Sequence, residues 1–293
     1  MIEKTFHTKD VTINYAEAPS SCPPLILLHG YPGRWQEFLP IMPDLAFSYH
    51  LYALDLRGQG KSGRTAGQYH SKFFGKDLLS FLKHEFSEQV ILFGMSAGGL
   101  VALDVAAQVP GRVKALILGD SPIDFEWLKA LMKSDEFINL FSAFRDLAGP
   151  DKSLAHIFKD LREIPVHIPG ETEPVRYADQ PGLDAIDLLR FAKTLSMLDP
   201  GVLDYHAEGR VDEFLKGFEL EEMLHNITCP VLLVQGNPNL GGMMTDESVD
   251  FALNELPNAT HMLIEGAGHD LGLDSWDANP LLRVILGFLE ALD

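Results

Sequence analysis

Short apolar runs ending in glycine recur along this chain: PPLILLHG (23–30), QVILFG (89–94), VKALILG (113–119) and CPVLLVQG (229–236). HLYALDL (50–56) has the same form, and ATHMLIEG (259–266) is a weaker copy. A run that is apolar at every position leaves no side for water, which suits parallel strands buried on both faces. The intervals carry helical periodicity, as in SKFFGKDLLSFLKHEF (71–86), AGGLVALDVAAQV (97–109) and NPLLRVILGFLEAL (279–292). Strand and helix alternate from residue 24 onward, so the class is α/β with a mostly parallel sheet. Residues 2–7 and the alternating VTINYAEA (11–18) read as an antiparallel hairpin at one sheet edge, which brings the sheet to eight strands flanked by helices.

One interval breaks the rhythm. Between Gly119 and Cys229 no buried-strand pattern occurs, while residues 125–147, 152–164 and 183–199 read as amphipathic helices separated by turns with Pro and Gly. About a hundred residues is too long for a loop. The expected organisation is a core of residues 1–121 and 227–293 with an inserted helical cap, 122–226, seated over the strand ends. Phe137, Phe141, Phe144 and Phe158 fall in that insertion, as cap core or as the lining of an apolar pocket.

Composition narrows the partners. A formal charge of -19 over 293 residues argues against nucleic acid and anionic membrane surfaces. No run reaches transmembrane length, and MIEKTFHTKD has no apolar signal core. The two cysteines, Cys22 and Cys229, give neither a disulfide framework nor metal-ligand spacing and read as small buried hydrophobes. The expectation is a soluble, cytoplasmic protein acting on a small molecule, with no cofactor and no metal. Oligomeric state is not legible.

The stretch VILFGMSAGGLVALDVAA (90–107) passes from buried strand to helix through GMSAG. A lone serine there, flanked by Gly94, Gly98 and Gly99, fits a sharp turn that lifts the Ser96 hydroxyl above the carboxyl edge of the sheet. The N–H groups that follow lie at a helix N-terminus, where a developing oxyanion would be stabilised.

With this turn in place the chain resembles the α/β-hydrolase family, in four segments in family order. LLHGYPG (27–33) is similar to the loop that supplies an oxyanion donor, and DLRGQGKS (55–62) to the D-x-R-G-x-G-x-S turn. GMSAG (94–98) resembles the nucleophile turn, and GAGHDL (266–271) the loop of the catalytic histidine. The resemblance implies Ser96 as nucleophile, His269 as its base, and the backbone N–H groups of Tyr31 and Ala97 as oxyanion donors. Trp35 and Met95 are candidate pocket walls. His29 is expected to hold the HG turn by hydrogen bonding, His261 to pack in the last strand, and Asp55 and Arg57 to form their turn as ion-paired residues.

The acid of the triad is less direct. The common family position after the seventh strand reads GNPN (236–239), with Asn239 where an aspartate is expected. An amide orients an imidazole without compensating its charge. ILGDSP (117–122) offers Asp120 after the sixth strand, where haloalkane dehalogenases and some other members carry the acid. Asp246 and Asp124 are the alternatives, although TDES around Asp246 also reads as a helix N-terminus. A Ser-His-acid set implies acyl transfer, here hydrolysis of a small ester. Carbon–carbon bond hydrolysis and non-catalytic binding of a small molecule are the other readings.

Overall fold

The computed structural model describes residues 1–167 and 173–292. Its main sheet has eight strands: β1 (Ile2–His7), β2 (Thr12–Ala18), β3 (Pro24–Leu28), β4 (His50–Leu54), β5 (Val90–Met95), β6 (Val113–Gly119), β7 (Val231–Gly236) and β8 (Ala259–Ile264). Their spatial order is β1-β2-β4-β3-β5-β6-β7-β8. β2 runs antiparallel to β1 and to β4, and all other neighbours are parallel.

The two-faced burial expected from the apolar runs is visible residue by residue. Ile26, Leu28, Leu92, Leu116, Leu118 and Leu233 pack into one core layer. Their chain neighbours Leu25, Leu27, Ile91, Phe93, Ile117 and Leu232 pack into the other. Successive side chains of a strand point to opposite faces, so only a continuous apolar run serves both layers. β8 is the weaker run because it is an edge strand, with Met262 and Leu263 exposed.

Helices of eight residues or more are α1 (Ser71–Glu85), α2 (Ala97–Gln108), α3 (Phe125–Met132), α4 (Asp135–Leu147), α5 (Leu154–Leu161), α6 (Ala185–Ser196), α7 (Asp246–Glu255) and α8 (Asn279–Glu290). The interval between β6 and β7 is mainly helical, apart from a pair of two-residue strands at Pro165–Val166 and Val175–Arg176. Residues 168–172 of that interval lie outside the described residues. The single helix expected over 125–147 is two. Ser134 stops the first and caps the second, its Oγ accepting the Phe137 N–H at 3.3 Å. Asp184 and Asp187 close a reciprocal capping box at the start of α6.

The parallel register places the strand ends side by side. Leu28 pairs with Gly94, Met95 with Gly119, and Gly119 with Val234. Gly30, Ser96, Asp120 and Gly236 therefore leave the sheet at one edge.

Candidate active site

Ser96 joins β5 to α2 with φ 52 and ψ -125, a left-handed conformation costly for a residue with a Cβ. Its surroundings hold it there. The Ser96 N–H donates to the Gly119 carbonyl at 2.8 Å, and the Ser96 carbonyl accepts the Gly99 N–H at 2.9 Å. The glycines permit the approach. A Cβ on Gly94 would overlap backbone atoms of Gly98 and Gly99, and one on Gly98 would overlap the Leu28 and His29 carbonyls. On the far side a Cβ on Gly30 would stand 3.0 Å from the Ser96 Cβ.

Three side chains from different parts of the chain form one hydrogen-bonded line. His269 Nε2 lies 2.9 Å from Ser96 Oγ, and His269 Nδ1 lies 2.7 Å from Asp120 Oδ2. Asp120 accepts only, so Nδ1 carries the proton and Nε2 is left to accept from the serine hydroxyl. The carboxylate is wholly buried while the imidazole remains one-third exposed, at 34%. Backbone N–H groups share that carboxylate. Gly236 and Met244 donate to Oδ1 at 2.9 and 3.1 Å, and Met243 donates to Oδ2 at 2.7 Å. Asp120 itself has φ 39, another left-handed residue, and its N–H donates to the Val234 carbonyl at 2.7 Å.

The alternative acids are engaged elsewhere. Asp124 caps α3 by accepting the Trp127 N–H at 2.9 Å. Asp246 opens α7 and accepts from Gln235 Nε2 at 2.7 Å. Neither bonds to His269. Asn239 is exposed in a 3-10 turn, where its N–H donates to Asn237 Oδ1 at 2.9 Å.

Ala97 is the first residue of α2, and Tyr31 follows the HG pair. Neither backbone N–H has an acceptor among the described residues. His29 is fully buried. Its Nδ1 donates to the Gly30 carbonyl at 2.8 Å and its Nε2 accepts the Leu56 N–H at 3.0 Å, tying the HG loop to the next turn. Burial depresses its pKa to about 4, against the Gly30 bond, so it stays neutral. His261 Nε2 meets Gln235 Oε1 at 2.8 Å in the β7–β8 pair.

Three expectations need correction. Trp35 does not line the site. Its indole N–H donates to Glu3 Oε1 at 2.9 Å and its ring packs among core residues. Asp55 has no ion pair among the described residues. It accepts N–H bonds from Trp35, Lys61 and Asn14, whereas Arg57 forms a two-pronged bridge to Asp77 at 2.6 Å on each oxygen. Cys229 is buried as expected, but Cys22 is only partly so.

Ser96 and His269 open on a cavity of about 460 Å³, with Met95 in its wall. Phe141, Phe144, Tyr177 and Phe191 form an aromatic side contributed by the helices between β6 and β7, and Tyr31 lines it from the HG loop. The polar side includes Arg34, Glu37, Arg190 and Asp274. Sequence reasoning passed over these four. Arg34 and Glu37 follow the HG motif closely, the one signal that brings them near the site. Arg190 and Asp274 carry no motif. Among the described residues no group of three or more His, Cys, Asp or Glu could hold a metal ion, and no helix is long and apolar enough to cross a membrane.

The family model described as alpha/beta hydrolase fold matches residues 23–275. A proline iminopeptidase of Pestalotiopsis fici is 27% identical, over 88% of this chain and 89% of the relative. The 2-(acetamidomethylene)succinate hydrolase of Mesorhizobium japonicum is 24% identical, over 96% and 92%. Among solved structures, a thermophilic esterase of Thermogutta terrifontis with malate bound superposes with a TM-score of 0.72 at 18% identity, covering 100% of this chain and 99% of that one. At that identity the likeness shows the fold alone.

Proposed function

We propose that this chain, which belongs to the α/β-hydrolase fold family and is a hydrolase, is a serine hydrolase that cleaves a small ester through an acyl-enzyme. The observation that carries the reading is the continuous line from Asp120 through His269 to Ser96, at 2.7 and 2.9 Å, on the wall of a cavity large enough for a small substrate.

The chemistry follows from that line. Ser96 Oγ attacks the ester carbonyl carbon as His269 Nε2 takes the hydroxyl proton. The carbonyl electron pair moves onto oxygen, and the N–H groups of Tyr31 and Ala97 stabilise that oxyanion; one such donor is worth about 10² to 10³ in rate. Buried Asp120 holds the Nδ1–H and balances the imidazolium. The imidazolium returns its proton to the departing alkoxide, which leaves an acyl-serine. Water, deprotonated by the same nitrogen, then releases the acid and restores the hydroxyl. We read residues 122–226 as a cap whose aromatic side chains close the site against bulk water.

Amide cleavage is the second reading, supported by the iminopeptidase among the relatives. One panel addresses both: 4-nitrophenyl esters from acetate to octanoate beside proline 4-nitroanilide, on wild type and Ser96→Ala. Ester turnover that the alanine abolishes supports the proposal. Anilide turnover with no ester turnover replaces it with the second reading.

A further inference from the structure

The cavity holds two guanidinium groups of unlike status. Arg190 Nη1 donates to the Asp274 carbonyl at 2.6 Å and lies 3.5 Å from the Asp187 carboxylate; the guanidinium sits 5.2 Å from the centre of the Trp276 ring. Arg34 has no such ties. Its Nε donates to Thr194 Oγ1 at 3.1 Å, and the Thr194 hydroxyl donates its own proton to the Arg190 carbonyl at 3.2 Å. Thr194 can therefore only accept from Arg34, which fixes the guanidinium from its inner edge. Nη1 and Nη2 have no hydrogen-bond partner, and no carboxylate lies within 4.0 Å of them, among the described residues. Burial, aided by Arg190 and opposed by Asp55, lowers the Arg34 pKa, so this site does not favour a bare cation. Arg112 is also half-buried without a carboxylate, but its guanidinium is spent on the Leu82 and Phe86 carbonyls at 3.1 and 2.7 Å, whereas the outer edge of Arg34 is free among the described residues.

Two of the acids that share the cavity are otherwise occupied. Asp187 accepts the Asp184 N–H at 3.0 Å, and Asp270 accepts the Asp274 N–H at 3.2 Å. Asp274 is exposed. Burial, then the neighbouring Asp274, pushes the Glu37 pKa up to about 8, so near neutral pH it is mainly a neutral acid and a hydrogen-bond donor.

We propose that Arg34 is a specificity residue that takes a free carboxylate on the substrate, so that the substrate class is small esters bearing a second, ionised acid group. The free Nη1–Nη2 edge presents parallel N–H donors to the two oxygens of that group, while the aromatic side covers the apolar remainder. This inference rests on the Ser96 hydrolase reading.

The test compares matched esters. Mono-4-nitrophenyl glutarate is set against 4-nitrophenyl valerate for an acid on the acyl side, and 4-carboxyphenyl acetate against phenyl acetate for one on the leaving group. The 4-nitrophenyl ester of 4-(trimethylammonio)butyrate supplies a cation. Wild type is expected to favour an acid-bearing ester in at least one pair. In Arg34→Gln that preference falls about tenfold to a hundredfold, the range for a charged hydrogen-bonded pair, mainly through KM; Arg34→Lys keeps part of it. Wild-type preference for the neutral or cationic ester, or a preference that survives Arg34→Gln, overturns the proposal. Calorimetric titration of glutarate into Ser96→Ala, with and without Arg34→Gln, separates the two readings. If no ester is hydrolysed, the ester-hydrolase reading fails, and Arg34-dependent glutarate binding still supports the carboxylate site. Absent binding, or binding indifferent to Arg34, overturns it.

Discussion

Met243 donates its backbone N–H to Asp120 Oδ2 at 2.7 Å, the same oxygen that faces His269 Nδ1 at 2.7 Å. The loop after β7, where the family pattern usually carries the acid, here supplies amides to an acid from β6. Asn239 in that loop is exposed and turned into its own local bend. Asp120→Asn therefore leaves the His269 contact in place but removes the balancing charge, and kcat on a 4-nitrophenyl ester is expected to fall by about 10³ to 10⁴. Asp246→Asn, which touches only the start of α7 and Gln235, costs at most about 1 kcal/mol of stability and leaves kcat within about threefold. Steady-state kinetics of the two variants on one substrate check both statements.

The turn that raises Ser96 is closed by backbone at Gly94 and Gly98. A Cβ on Gly94 would overlap atoms of Gly98 and Gly99, none of which can rotate away as a side-chain tip would. Gly94→Ala is expected to destabilise the fold by about 3 kcal/mol, at the upper end for overpacking. Urea denaturation of the purified variant measures it, with Gly111→Ala as the control, because a Cβ there meets nothing within 4 Å.

The strands were legible because burial on both faces leaves a continuous apolar run, and Leu25 to Leu28 is the plainest case. Ser96 and His269 were legible because glycines mark the places where backbone must come close. Asp120 was legible only as the first of several aspartates. Three amides, from the end of β7 and the loop after it, 116 to 124 residues further on, meet its carboxylate, and no local pattern encodes such a meeting. Trp35 was misplaced because an aromatic beside a site motif reads the same whether its ring faces a pocket or a core. The cavity charges were invisible because their meeting, too, is set by contacts between distant parts of the chain. Arg34 and Thr194 meet across 160 residues of chain.

His206 is 6% exposed, its Nδ1 lacks a partner among the described residues, and the rings of Tyr31, Phe141 and Phe214 surround it at 5.8, 5.0 and 4.9 Å between centroids. Burial depresses its pKa from 6.5 to about 3. Between those values the unfolded chain binds a proton that the folded chain refuses, so stability is whole above pH 6.5 and declines as the pH falls. His29 acts with the same sign down to about pH 4. In His206→Phe the loss of stability between pH 7.5 and 5.0 is expected to be about 2 kcal/mol smaller than in wild type. Denaturant titrations at the two pH values test this, and an unchanged difference contradicts the assignment.

Arg57 is 1% exposed and bonds Asp77 through Nε and Nη2. Removing one partner of such a buried pair strands the other. Asp77→Asn is expected to cost about 3 to 5 kcal/mol, whereas the acid-bearing to neutral ester ratio stays as in wild type. A lowered melting temperature with an unchanged ratio is the expected pattern.

The most direct measurement is covalent. Intact protein is treated with a small fluorophosphonate, digested, and mapped by mass spectrometry beside Ser96→Ala and His269→Ala. A nucleophilic Ser96 gives one adduct on the peptide that holds it, none in Ser96→Ala, and slowed labelling in His269→Ala. An unlabelled wild type, or an adduct that forms equally in Ser96→Ala, would contradict the assignment of Ser96 as nucleophile.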